Sequence, residues 1–198
     1  MIEKISKRLT IRLIDEGVVS LDEFEIYHYG MQLLLATLME GFGLLILGIL
    51  TGKVIETVLF VLMFGLLRIF AGGIHAGSYL KCFIVTAIVV FIGVQVVEIL
   101  QYNFGFNFML IMLIITNTIV YIFSPIDSPN KPLTDGEKVK NRRRSLLITF
   151  VGALIIVFFY KINPNLKYYL FIITFALFSE SLTLIRVSRD KYFLLEVK

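Results

Sequence analysis

Reactive side chains are scarce in this sequence: it holds one cysteine and two histidines, and only 17 % of its 198 residues are charged. A single cysteine excludes an intramolecular disulfide and any Cys-x-x-Cys metal or redox motif, so Cys82 is expected to remain a free thiol. Two histidines and one cysteine do not complete a usual zinc ligand set without carboxylates from distant parts of the chain, so no metal and no cofactor is expected. The first residues contain no short apolar core followed by a small-residue cleavage site, and Glu3, Asp15 and Glu16 make them acidic early; no removable signal peptide is expected. The low charge also argues against a soluble domain. Apolar residues make up 58 % of the chain, its mean hydropathy is +0.86, and those residues fall in runs. The expected fold is therefore all-α, a polytopic integral membrane protein of a single domain.

Six apolar runs are present: 31–50, 54–70, 82–100, 104–123, 146–160 and 168–185. A helix needs about 20 residues to cross the hydrocarbon, with a lower limit near 17. The second and fifth runs are marginal, so six spans and four full spans with re-entrant pieces both fit. Ahead of them, residues 1–29 form an interfacial segment. Ile2, Ile5, Leu9 and Leu13 recur at helical spacing with Lys4, Lys7, Arg8 and Arg12 on other faces, the pattern of an amphipathic helix lying in the headgroups or capping the bundle. His28, among tyrosines near the interface, reads as structural. With six spans, all Lys and Arg except Lys53, Lys161 and Lys167 fall on one side. The positive-inside rule then places both termini, including the tail 186–198, in the cytoplasm.

The segment 68–82 stands between the second and third runs and joins the lone cysteine to one of the histidines, His75. A thiolate attacks carbonyls readily, and a nearby imidazole can generate it and later protonate a leaving amine. On one straight helix, residues seven apart would be separated by about 10 Å, too far for proton transfer. Gly72, Gly73 and Gly77 remove that obstacle by letting the segment turn back over the next helix. Cys82 would then lie in a first helical turn, where unpaired backbone N–H groups, the helix dipole and Lys81 favour a thiolate. The same N–H groups are oxyanion donors. On spacing alone the plainer alternative stays open: Cys82 as a small core residue, His75 as an interfacial group and the glycines as packing.

Glu40, Glu98 and Glu180 fall inside apolar runs and need a partner, water or a proton there. Glu98 is close to a run end, and Glu180 is placed to pair with Arg68 or to orient His75. The long polar loop 124–145 carries the basic block Lys138, Lys140, Arg142, Arg143 and Arg144, which suits anionic lipid headgroups or an acidic peptide. One basic loop in a membrane protein gives no support for nucleic-acid binding.

Arg68, Gly72-Gly73, His75-Ala76 and Cys82 seven residues after the histidine together resemble the signature of the accessory gene regulator protein B (AgrB) family. Gly30-Met31-Gln32, the segment 124–132 and Glu180-Ser181-Leu182-Thr183-Leu184 extend the resemblance over nearly the whole chain. It implies a cysteine endopeptidase in the membrane of a Gram-positive bacterium, working in quorum sensing. The implied substrate is an AgrD-like pro-peptide whose acidic tail docks on the basic block and is removed at the cytoplasmic face. The remainder closes to a thiolactone or lactone ring. The resemblance also adds Arg68 and Gln32 for charge or substrate orientation, Gly73 for close backbone approach and Glu180 as a supporting carboxylate. Self-association is implied as well, and Gly41, Gly43 and Gly48 are candidates for a helix interface, either between subunits of a homodimer or within one chain. Two rivals remain: a peptide or small-molecule transporter in which Cys82 is incidental, and a non-catalytic scaffold that recruits a partner through the basic block.

Overall fold

The computed structural model describes residues 2–73, 79–126 and 133–196, with side chains described as far as Ile185. It is helical, with no strand among the described residues. The helices are α1 (Ile2–Asp15), α2 (Phe24–Thr51), α3 (Val54–Ala71), α4 (Tyr79–Asn103), α5 (Phe106–Phe123), α6 (Asp135–Ile162) and α7 (Lys167–Glu196). Short 3-10 turns, Leu21–Glu23 and Pro164–Leu166, lead into α2 and α7. Among the described residues six helices are long and apolar enough to cross a membrane, the shortest, α3 and α5, having 18 residues each. At 1.5 Å per residue, 18 residues cover about 27 Å, close to the hydrocarbon thickness. Both marginal runs thus lie on helices long enough to span. The fifth run gains its length from polar sequence: α6 starts at Asp135, capped by Thr134 and Glu137 in a reciprocal capping box. The basic residues from Lys138 to Arg144 thus stand on helix.

The chain divides into two compact units, residues 1–46 and 47–198. In the first, α1 buries Ser6 and Thr10. Their hydroxyls donate to the backbone oxygens of Glu3 and Ser6, at 3.0 and 2.9 Å. Ile5, expected on the apolar face, is exposed. His28, expected in the interfacial segment 1–29, stands on the start of α2.

In the second unit α7 packs against α3, α4, α5 and α6, and 50 % of its spanning stretch is buried, the largest share of any span. Three of these neighbours present a stripe at helical spacing: Phe60, Phe64, Leu67 and Ala71 on α3, Val90, Val94 and Val97 on α4, Met109, Met112, Thr116 and Val120 on α5. Gly93 lets α4 approach closely, because a Cβ there would lie 2.5 Å from the Phe60 ring. Two buried hydroxyls are satisfied within their own helices: Thr86 donates to the Cys82 oxygen and Thr174 to the Leu170 oxygen, at 3.0 and 2.8 Å. The outward faces stay apolar and exposed, as in Leu62, Ile88, Ile114 and Leu154, which suits a lipid solvent.

The two ends of this bundle differ. At one end Lys53, between α2 and α3, pairs with Glu98 near the end of α4, and Tyr160, Phe106 and Phe171 cluster. The other end gathers the last turn of α3, the first turn of α4, the segment after α5 and the start of α6.

Candidate active site

Cys82 is the fourth residue of α4, half-buried and a free thiol. A first turn has backbone N–H groups without intrahelical partners and the positive end of the helix dipole, both of which favour a thiolate. Arg68, in the last turn of α3, brings its guanidinium to the same place: Nη2 is 3.8 Å from Cys82 Sγ. Its other terminal nitrogen, Nη1, is 3.5 Å from Glu180 Oε2 on α7. The guanidinium also lies over the Phe64 ring, 5.7 Å from its centroid. One planar cation thus faces a thiol, a carboxylate and an aromatic ring contributed by three helices.

Glu180 is fully buried. Its contact with Arg68 is an ion pair without hydrogen-bond geometry, and neither carboxylate oxygen has a hydrogen-bond partner among the described residues; the same holds for Thr183 Oγ1. Both groups converge on Gly73, where an added Cβ would stand 2.6 Å from Glu180 Oε1 and 3.0 Å from Thr183 Oγ1. Gly72 ends α3 with φ +80°, a conformation that suits glycine. Its missing side chain makes room for the Ile126 carbonyl oxygen, 2.5 Å from the ideal Cβ position. The Ile126 N–H donates to the Ala71 oxygen at 2.9 Å, so the segment after α5 is fastened to the end of α3. That segment includes a cis Ser124-Pro125 bond.

The family model described as Accessory gene regulator B matches residues 2–184. The chain belongs to the accessory gene regulator B family. Two relatives from Clostridium perfringens, both named only as AgrB-like, are similar along most of their length. The one from strain SM101 is 27 % identical over 84 % of this chain and 82 % of its own. The one from strain 13 is 29 % identical over 81 % and 80 %. No solved structure matches.

Of the residues that the AgrB resemblance singled out, the structure brings Arg68, Gly73, Cys82 and Glu180 together. His75 lies outside the described residues, as does Gly77, and Gly73 is the last described residue before them. Gln32 belongs to the first unit, where its Nε2 is 3.1 Å from His28 Nε2. The two side chains, one expected to support catalysis and the other to be structural, are thus partners.

The basic block separates into roles. Arg142 donates from Nη1 to the Ser124 oxygen and from Nη2 to the Tyr121 oxygen, at 3.0 and 2.9 Å, and lies over the Tyr121 ring. It caps the end of α5, whose last carbonyls have no intrahelical donors. Arg144 covers the Phe70 ring at 5.2 Å, and Lys138 is 3.8 Å from Asp135. Lys140 and Arg143 are exposed on α6. The sequence reading missed Thr183, Ile126 and the buried hydroxyl pair Ser124 and Ser145, whose oxygens are 2.7 Å apart. For Thr183, Ile126 and Ser124 the only signal was membership of the segments that carry the resemblance; Ser145 had none.

Proposed function

We propose that this AgrB family member is a membrane cysteine endopeptidase that removes the C-terminal tail of an AgrD-like pro-peptide and cyclises what remains. The observation that carries the reading is the Arg68 guanidinium beside a thiol in a first helical turn, 3.8 Å from Sγ. A neighbouring cation and a helix start are the environments that lower a thiol's pKa and make it a nucleophile.

In this mechanism His75 takes the proton from Cys82, and Sγ attacks the peptide carbonyl that precedes the tail. Backbone N–H groups at the start of α4 are the donors for the oxyanion. As the carbonyl re-forms, the C–N bond breaks, and the proton on His75 goes to the departing amine. A thioester to Cys82 remains. A cysteine or serine side chain of the substrate then gives its proton to His75 and attacks that carbonyl, the bond to Cys82 breaks, the ring closes, and the proton on His75 returns to the Cys82 thiolate. Hydrolysis competes with closure, so the site must exclude water; the half-buried thiol between helices supports that requirement. Gly73 and Glu180 support the centre, and Gln32 acts in orienting the substrate. Lys140 and Arg143, with Lys138, receive the acidic tail at the cytoplasmic face, while Arg142 and Arg144 chiefly hold the fold. Two subunits act as a homodimer.

The test is a synthetic amphipathic peptide with one internal cysteine and an acidic C-terminal tail, incubated with the protein in liposomes and followed by mass spectrometry. Wild type is expected to give an acyl adduct on Cys82, a free tail and a ring. Cys82→Ala and His75→Ala are expected to give none of these. Equal processing by Cys82→Ala, or transport of the intact peptide without cleavage, would overturn the proposal.

A further inference from the structure

Resting on the reading of Cys82 as the nucleophile, we propose that Glu180 is a positioning residue: it holds the Arg68 guanidinium against the thiol, so that a carboxylate of α7 sets the ionisation of a thiol in α4 that it does not itself touch. The two ends of the guanidinium fork are divided between them, Nη1 toward Glu180 Oε2 at 3.5 Å and Nη2 toward Cys82 Sγ at 3.8 Å.

Arg68 sits in the last turn of a spanning helix, and an arginine there tends to extend its head toward the aqueous end. The Phe64 ring below it is a weak restraint on direction. Glu180 supplies a charged one, from a side chain that is fully buried. A buried carboxylate inside a membrane span is costly, and an apolar residue would fill the same space between α3 and α7 without that penalty. Glu180 has no hydrogen bond among the described residues, and Arg68 is its ion-pair partner. Among the described residues, the charged groups around the thiol are Arg68 from α3, Glu180 from α7 and, next to Cys82 in the chain, the exposed Lys81; His75 lies outside the described residues.

The direction of the effect separates positioning from simple electrostatics. Deleting a negative charge near Cys82, with Arg68 left in place, would stabilise the thiolate and move its titration to lower pH. Loss of positioning lets Arg68 swing away and moves the titration to higher pH. A structural tie between α3 and α7 would lower stability and leave the titration where it was.

The experiment is the rate of Cys82 alkylation by iodoacetamide as a function of pH, in the full-length protein in lipid nanodiscs, read by mass spectrometry with no peptide present. Arg68→Gln is expected to move the midpoint up by about one pH unit or more. Glu180→Ala and the isosteric Glu180→Gln are expected to move it in the same direction, and Glu180→Gln added to Arg68→Gln is expected to move it no further. Should the alanine variant not fold, Glu180→Gln, which keeps the volume, decides alone. A midpoint that stays put or falls in the Glu180 variants overturns the inference even if the peptide is processed normally. Absence of peptide processing with the alkylation coupling intact would instead overturn only the peptidase reading.

Discussion

Gly73 runs its backbone so close to Glu180 that a methyl group on its Cα would stand 2.6 Å from Oε1. The obstructing atom is the end of a side chain, so Gly73→Ala is expected to displace the carboxylate; alanine at φ +157° is strained as well, so some stability is lost, though less than at Gly72. Peptide processing should fall at least tenfold, more than the loss of folded protein accounts for. Gly72→Ala meets a backbone oxygen, that of Ile126, at 2.5 Å, and also requires alanine at φ +80°. Nothing flexible can move aside there, and the expected loss is about 1–3 kcal/mol of stability. Thermal unfolding in detergent beside an activity assay distinguishes the two; equal stability losses would refute the distinction.

Arg142 and Arg143 are neighbours in sequence with different work. Arg142 holds the Tyr121 and Ser124 carbonyls, so Arg142→Ala is expected to lower stability by about 1–2 kcal/mol whatever the substrate. Arg143→Glu and Lys140→Glu, on exposed positions, should leave the melting temperature within experimental scatter and raise KM for a peptide with an acidic tail. That KM effect should shrink at high salt, because exposed charges are screened. If all three variants change stability alike, the division of the basic block is wrong.

Much of the fold could be read from the chain because membrane helices announce themselves by long apolar runs, and the six runs correspond to the six spans. Their ends were harder. The start of α6 is polar and basic for its first turns, and nothing apolar marked it as helix; the signal was the capping pair Thr134 and Glu137. The site was legible where chemistry is rare, at Cys82, and where glycines had to do something specific, at Gly72 and Gly73. A pairing of Glu180 with Arg68 was one of two options that spacing allowed, and the structure supplies the contact. The contact of Arg68 with the thiol could not be read, because it depends on how α3 and α4 pack. Nor did the residue pattern distinguish Arg142, a helix cap, from Arg143 beside it, since a capping arginine is recognised only by the carbonyls it meets.

Close packing between α3, α4 and α7 predicts a substitution that damages the bundle and spares the site. Gly93 faces Phe60, with Cε2 2.5 Å from the ideal Cβ position. Phe60 is fully buried and lies among Phe64 and Phe175, so its ring has little room to swing. Gly93→Ala is expected to cost about 1–3 kcal/mol through overpacking. Eleven residues along α4 put it about 16 Å from Cys82, so the pH midpoint of Cys82 alkylation should not move. A shifted midpoint would mean that the strain reaches the site.

At the far end of the bundle Lys53 donates to Glu98 and also lies 3.4 Å from the Gln95 side-chain oxygen. The hydrogen bond to Glu98 raises the ammonium's pKa above its ordinary value of 10.5. A cation whose pKa is higher in the folded chain contributes stability that is fully present below the unfolded value and is lost as pH rises through the folded one. The wild type should therefore lose stability as pH rises above about 10.5 relative to Lys53→Met, with no comparable difference in pH dependence between pH 7 and 9. Glu98 is 51 % exposed and Lys53 19 %, so solvent screening keeps the whole effect to about 1 kcal/mol or less. Paired melting curves across that range, repeated with Glu98→Gln, provide the check. Parallel pH profiles for wild type and Lys53→Met would show that the pair adds nothing to stability, and that the turn between α2 and α3 is held by packing alone, as where Gly48 meets Thr57.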